Sequence, residues 1–401
     1  MQLNLSQRST RVVASHRHAT PVVTAPRQNT RCSRSVAAKA NVSTPSNATA
    51  ASELQSLGRL STIVPDTLAM ETLTPGAKLA AGTVSASVLR SVLVSESLGL
   101  KPYENAIVAA MAAGKNSNSP LAAAADPLDR ALVNVGAMLC DVVWGRVETI
   151  VDPNLANDQA AVTEKVRLLA ALYAALRVPR DRLIFGLPAT WAATQAAKTL
   201  EAEGIATSLY MVFSAAQGIA AMQAGASVVR VNVGRLREWY DKNPGAIRNP
   251  NGPREDSGLP AAYDPAIELV KELYCYGRKY HPKTAVMAMG LRTRQDALDL
   301  AGLDYLILSG RVMNQLAAVD TDQGYNDGLS AVSASAGVEA VLTPALAAQA
   351  EVKQWSGLTE AVWKSELGPA ATELLAAALK LRANDVTELK KLLASRSSAA
   401  D

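Results

Sequence analysis

Short runs of β-branched and aliphatic residues alternate with longer amphipathic stretches across most of this chain, a pattern of repeated parallel βα units. Eight runs read as strands: residues 61–64, 82–87, 146–151, 183–187, 208–213, 228–233, 284–289 and 305–308. Helical periodicity lies between most of them. In 158–176 it places Val162, Val166, Leu169, Leu172 and Leu176 on one face, with Glu164, Lys165 and Arg167 elsewhere. Helices over 193–203 and 215–224 are each followed by a glycine, Gly204 and Gly225, suited to end them. Eight strands, each followed by helix, predict an α/β protein of the (β/α)8 TIM-barrel class. Two further helical stretches, 374–381 and 385–393, predict an additional C-terminal layer. An open doubly wound sheet is the alternative, but no glycine-rich dinucleotide turn is present: Val233-Gly234-Arg235 offers a single glycine. A polar segment rich in Pro, Gly and Asn, 241–264, follows the sixth strand and is expected at the catalytic mouth.

Composition changes this picture mainly at the N-terminus. No Asp or Glu precedes Glu53, whereas residues 1–40 carry Arg8, Arg11, Arg17, Arg27, Arg31, Arg34 and Lys39 among many Ser and Thr. An Arg-rich, Ser-rich, acid-free leader is the signature of an organelle transit peptide. The expectation is therefore a plastid leader over 1–40, a flexible tether over 41–57 and a barrel domain over 58–395. Small residues around Val36-Ala37-Ala38-Lys39-Ala40 suit a processing site. Removing the leader takes away seven basic groups and no acids, which moves the formal charge from +4 to −3. The basic balance belongs to the leader, so nothing in it calls for nucleic acid. No apolar run approaches the length of a membrane-spanning helix. Cys140 and Cys275 read as packing residues, and His281 is the only histidine beyond the leader, too few for a metal cluster.

Several blocks run in one register over roughly residues 58–395. They are 61–67 (STIVPDT), 132–136 with 145–152 (LVNVG, GRVETIVD), 180–191 with 200–205, and 214–217 with 224–226 and 233–239 (VGRLREW), joined by Val286-Met287 and Arg292. On these blocks the chain resembles the transaldolase family. Members move a three-carbon dihydroxyacetone unit between sugar phosphates through a Schiff base on a lysine, with a carboxylate pair and water shuttling protons. Neither a metal nor a cofactor is implied.

Carried over position by position, the resemblance makes Asp66 the retained catalytic acid, and Arg235 and Arg292 the phosphate-binding arginines. The other positions depart from the family. Gly186 stands at the lysine position, Ile150 at the proton-handling glutamate and Ser85 at an asparagine. Tyr210 replaces a threonine, Arg230 a serine, and Gly290 a further phosphate-loop serine. No other lysine falls in a strand; Lys165, Lys198, Lys271 and Lys279 fall on helices, where solvent-facing placement is expected. Tyr210 is expected to refill the volume that Gly186 empties. Arg230 is expected to find a carboxylate, Asp66 being the candidate, or a ligand anion. The leading expectation is a chloroplast transaldolase-like barrel without transaldolase turnover, binding a sugar phosphate or other small anion in a sensing, regulatory or assembly role. A working transaldolase is the alternative, and a lyase or isomerase using Asp66, Tyr210 and Arg230 is a third. No membrane partner is expected, and a homodimer or a protein partner stays open.

Overall fold

The strand periodicity resolves into eight parallel strands in a computed structural model, which describes residues 51–66, 79–95, 97–115, 121, 124–243, 264–319 and 338–398. They are β1 (Thr62–Pro65), β2 (Gly82–Val84), β3 (Val147–Ile150), β4 (Leu183–Pro188), β5 (Thr207–Val212), β6 (Val228–Asn232), β7 (Ala285–Met289) and β8 (Tyr305–Leu308). The sheet order is β1-β8-β7-β6-β5-β4-β3-β2. Sequential neighbours all around, with β1 returning beside β8, make a nearly closed (β/α)8 barrel. Every residue of β4 and β5 is buried, because one face of each strand fills the lumen and the other meets helices.

The helices form the outer layer. In chain order they are α1 (Glu53–Leu60), α2 (Ala86–Val94), α3 (Lys101–Lys115), α4 (Pro127–Val142), α5 (Gln159–Ala175), α6 (Trp191–Ala202) and α7 (Ala215–Gln223). There follow α8 (Val233–Lys242), α9 (Pro265–Tyr280), α10 (Arg294–Leu298), α11 (Gly310–Ala317), α12 (Pro344–Gln349), α13 (Glu360–Glu366) and α14 (Gly368–Ser398). Val162, Val166, Leu169 and Leu172 of α5 are buried as their spacing predicts, but Leu176 caps the helix and stays 47% exposed. Gly204 and Gly225 end α6 and α7 at positive φ, 73° and 81°.

Three boundaries differ from the sequence expectation by more than two residues. The tether expected over 41–57 includes the start of α1, which a reciprocal Ser52–Gln55 capping box opens at Glu53. The run 82–87 is strand only to Val84, because the Ser85 side chain accepts from the Val88 N–H and starts α2. The stretches 374–381 and 385–393 fuse into one 31-residue helix, α14. Of the polar segment 241–264, residues 244–263 lie outside the described residues.

Candidate active site

The strand C-termini open into a cavity of about 550 Å³ at one end of the barrel, the end at which barrels of this class place their chemistry. Asp66, Ser85, Ile150, Tyr210, Arg230 and Arg235 all line it. These six residues, from β1, β2, β3, β5 and the β6–α8 segment, thus line one cavity. Arg292 lies outside the lining but beside it, since its guanidinium bonds the Gly234 carbonyl at 3.1 Å and Glu238 at 3.3 Å. Arg235 approaches the same Glu238 carboxylate at 4.0 Å. Lys242 also bonds Glu238, and with the two arginines holds its carboxyl below the usual range. One carboxylate thus lies among three cations on the β6–β7 side of the rim.

Local structure sets this rim. Asn232 caps α8 by accepting from the Arg235 N–H at 3.1 Å. Gly290 follows β7 at φ 75°, where a Cβ would come within 3.0 Å of Asn232 Oδ1 and the Gly234 nitrogen. A side chain at 290 would therefore be strained and would push the two loops apart. Asp296 ties the loops together. It accepts from the Arg292 N–H at 2.8 Å and the Thr293 N–H at 3.2 Å, and from Arg237 of α8 at 3.0 Å. Burial pushes its carboxyl up, but these bonds outweigh burial and leave it below the usual carboxylate range.

The floor differs from expectation. Arg230 does not pair with Asp66, which is exposed at the rim. Its Nη1 bonds Glu148 Oε2 at 2.6 Å, across the barrel from β6 to β3. Thr83 on β2 donates to the same oxygen at 3.0 Å. The guanidinium also lies 5.2 Å from the centre of the Tyr210 ring. Arg230, Glu148 and Tyr210 are each more than nine-tenths buried. Among the described residues, Arg230 Nε, Glu148 Oε1 and the Tyr210 hydroxyl have no hydrogen-bond partner. Burial holds the Tyr210 phenol well above its ordinary range, so it stays protonated at neutral pH.

Gly186 lies beneath the cavity and does not line it. Its register partner on β3 is Ile150. A Cβ at Gly186 would collide with Ile150 Cδ1 and stand 2.9 Å from Glu148 Oε1. The atoms nearest to this glycine therefore come from Ile150 and Glu148 of β3. Glu148 is the residue the sequence reading missed. It sits two positions before Ile150, and strand alternation puts both on the lumen face, so an acid inside a buried run was the available signal.

A bulge aims Tyr210. The β5–β6 register shifts between Leu209 and Val212, and Met211 sits at φ 62°, a costly conformation for a residue with a Cβ. Gln217 of α7 holds the distortion. Its amide donates to the carbonyls of Met211 (3.1 Å) and Ala189 (2.9 Å), and its oxygen accepts from the Phe213 N–H at 2.9 Å.

Among the described residues, no lysine lines the cavity. Lys198 is exposed as expected, but Lys165 is not solvent-facing: it is mostly covered, 2.7 Å from Asp129. The far wall of the cavity comes from α14, through Leu374, Leu381 and Arg382. That helix is clasped to the barrel by Trp239 Nε1 donating to Glu373 at 2.8 Å and by Arg396 bonding Glu104 at 2.6 Å.

A nearly closed eight-stranded parallel barrel with arginines and a carboxylate at its C-terminal mouth belongs to the (β/α)8 class. The family model for transaldolase/fructose-6-phosphate aldolase matches residues 66–393. A curated transaldolase of Shewanella amazonensis is 32% identical over 271 residues, covering 68% of this chain and 80% of its own. One from Rhizobium rhizogenes is 33% identical over 267 residues, covering 66% and 78%. The chain belongs to the transaldolase/fructose-6-phosphate aldolase family.

Proposed function

We propose that this protein is a plastid member of the transaldolase family that binds a sugar phosphate or similar small anion without transaldolase turnover, in a sensing, regulatory or assembly role. The observation that carries this reading is the lumen around Gly186. A Schiff base needs an amine that can reach a ketose carbonyl, and the lysine position of the resemblance holds a glycine roofed by Ile150 and Glu148. Ile150, at the glutamate position, cannot transfer a proton. Glu148 does not line the cavity, and one of its oxygens is taken by Arg230 and Thr83.

Asp66, Arg235 and Arg292 support retained binding: all three stand at strand exits, and the arginines share one carboxylate. Guanidinium groups suit phosphate, which they bind through paired N–H donors. The acid-free leader over 1–40 supports delivery to the plastid stroma.

The test is a turnover assay on protein beginning at about Asn41, with fructose 6-phosphate and erythrose 4-phosphate as substrates and glyceraldehyde 3-phosphate as readout. No rate above the protein-free blank is expected. Turnover on the order of 1 s⁻¹ or faster, the ordinary enzymatic range, would overturn the proposal in favour of a working transaldolase.

A further inference from the structure

We infer that the cavity takes a ligand with an anionic group at each end, a sugar bisphosphate being the nearest chemistry, because a second anion pole faces Arg235 from the N-terminus of α2 and Arg382. The inference rests on the reading of Arg235 and Arg292 as the first pole, and adds to it.

The second pole is built from two elements far apart in sequence. Ser85 caps α2, and its hydroxyl lies 3.1 Å from that of Ser87. The first-turn N–H groups of Ala86 and Ser87 have no carbonyl partner within the helix, and they carry the positive end of its dipole. Arg382 of α14 reaches down to this turn and donates to the Ser87 hydroxyl at 2.9 Å. Ser85, Ser87 and Arg382 all line the same cavity as Arg235. In the sheet order β2 lies four strands from β6, so in an eight-stranded barrel the two poles occupy opposite sides of the mouth.

Asp385 is shared between Arg382 at 3.0 Å and Arg90 at 3.2 Å, one carboxylate for two guanidinium groups. Asp152 accepts from the Asn154 N–H at 2.9 Å and has Lys390 at 3.7 Å, and Glu388 lies near Arg90. Between the poles, Tyr210 and Arg230 each line the cavity, each is more than nine-tenths buried, and each carries a polar atom without a partner among the described residues. Buried donors in that state call for an acceptor from a ligand or water. About 550 Å³ is ample for a phosphorylated sugar.

Titration calorimetry at about 0.1 M salt, where screening is moderate, compares fructose 1,6-bisphosphate with fructose 6-phosphate. The bisphosphate is expected to bind at least about tenfold more tightly, the effect of tethering a second anion to the first. In Arg382→Gln that ratio falls towards one, and Arg382→Lys keeps most of it. Ser87→Asp fills the pole with a carboxylate that the helix N-terminus favours, so it folds and also abolishes the preference. Equal binding of the two sugars by the unaltered protein, or a preference that survives in both Arg382→Gln and Ser87→Asp, overturns the second pole alone. Monophosphate affinity indifferent to Arg235→Gln, or no binding of either sugar, overturns the first pole as well.

Discussion

Two buried charges, Glu148 and Arg230, span the lumen, Arg230 at a position where the family resemblance expects a small serine. Such a pair contributes little net stability over an apolar replacement, but removing one member leaves the other charge buried and uncompensated. Arg230→Met should therefore destabilise the protein by about 3–5 kcal/mol, and adding Glu148→Gln should return most of that loss. Chemical denaturation of the two single variants and the double variant measures the coupling; additive effects would deny the pair. The sequence showed Arg230 as a buried cation in need of a partner, but named the wrong one. Asp66 ends the first strand and Arg230 lies inside the sixth, and only the three-dimensional ring shows that β3 reaches across to β6 while Asp66 turns out to the rim. Gly186 stood out only through the resemblance, which sets a lysine at that position. What fills the space above it depends on side-chain packing that no strand pattern encodes.

At the scale of elements, the eight strands were readable to within a few residues because each is a short apolar run between turn residues. The errors fall where a polar side chain takes over the backbone, as Ser85 does when it caps α2. The β5 bulge had no signal, since nothing in Thr207–Val212 marks Met211 for positive φ. Its support is Gln217, and Gln217→Leu would leave three buried backbone groups without partners. A loss of about 3 kcal/mol is expected, seen as a lowered melting temperature; an unchanged melt would mean that the bulge holds itself. Asp296 does the matching work at the rim, joining the loop of Arg292 to the helix of Arg235. Because its folded pKa lies below the unfolded value, its contribution is full above about pH 4 and is lost as pH falls through the folded pKa. Asp296→Asn should lower the melting temperature at pH 7, and the gap to the unaltered protein should narrow below about pH 4. A gap independent of pH would show that charge at Asp296 is immaterial.

At the scale of the whole molecule, the alternation of strand and helix carried the barrel, and several quoted blocks carried the family. The continuous α14 was less legible, because its alanine-rich middle weakens the apolar face that separates helix from loop. On the proposed delivery to plastids, N-terminal sequencing of the protein recovered from that compartment should find a start within about residues 36–41, given the small residues there. An intact Met1 start in that compartment would contradict a cleaved leader. The central claim is that the barrel has given up covalent chemistry, and trapping tests it most directly. Protein from about Asn41 is mixed with fructose 6-phosphate, reduced with borohydride and weighed by intact-mass spectrometry beside an active transaldolase that labels fully. The account predicts no three-carbon or six-carbon adduct on any lysine, whereas a stoichiometric adduct mapped to one lysine would contradict it.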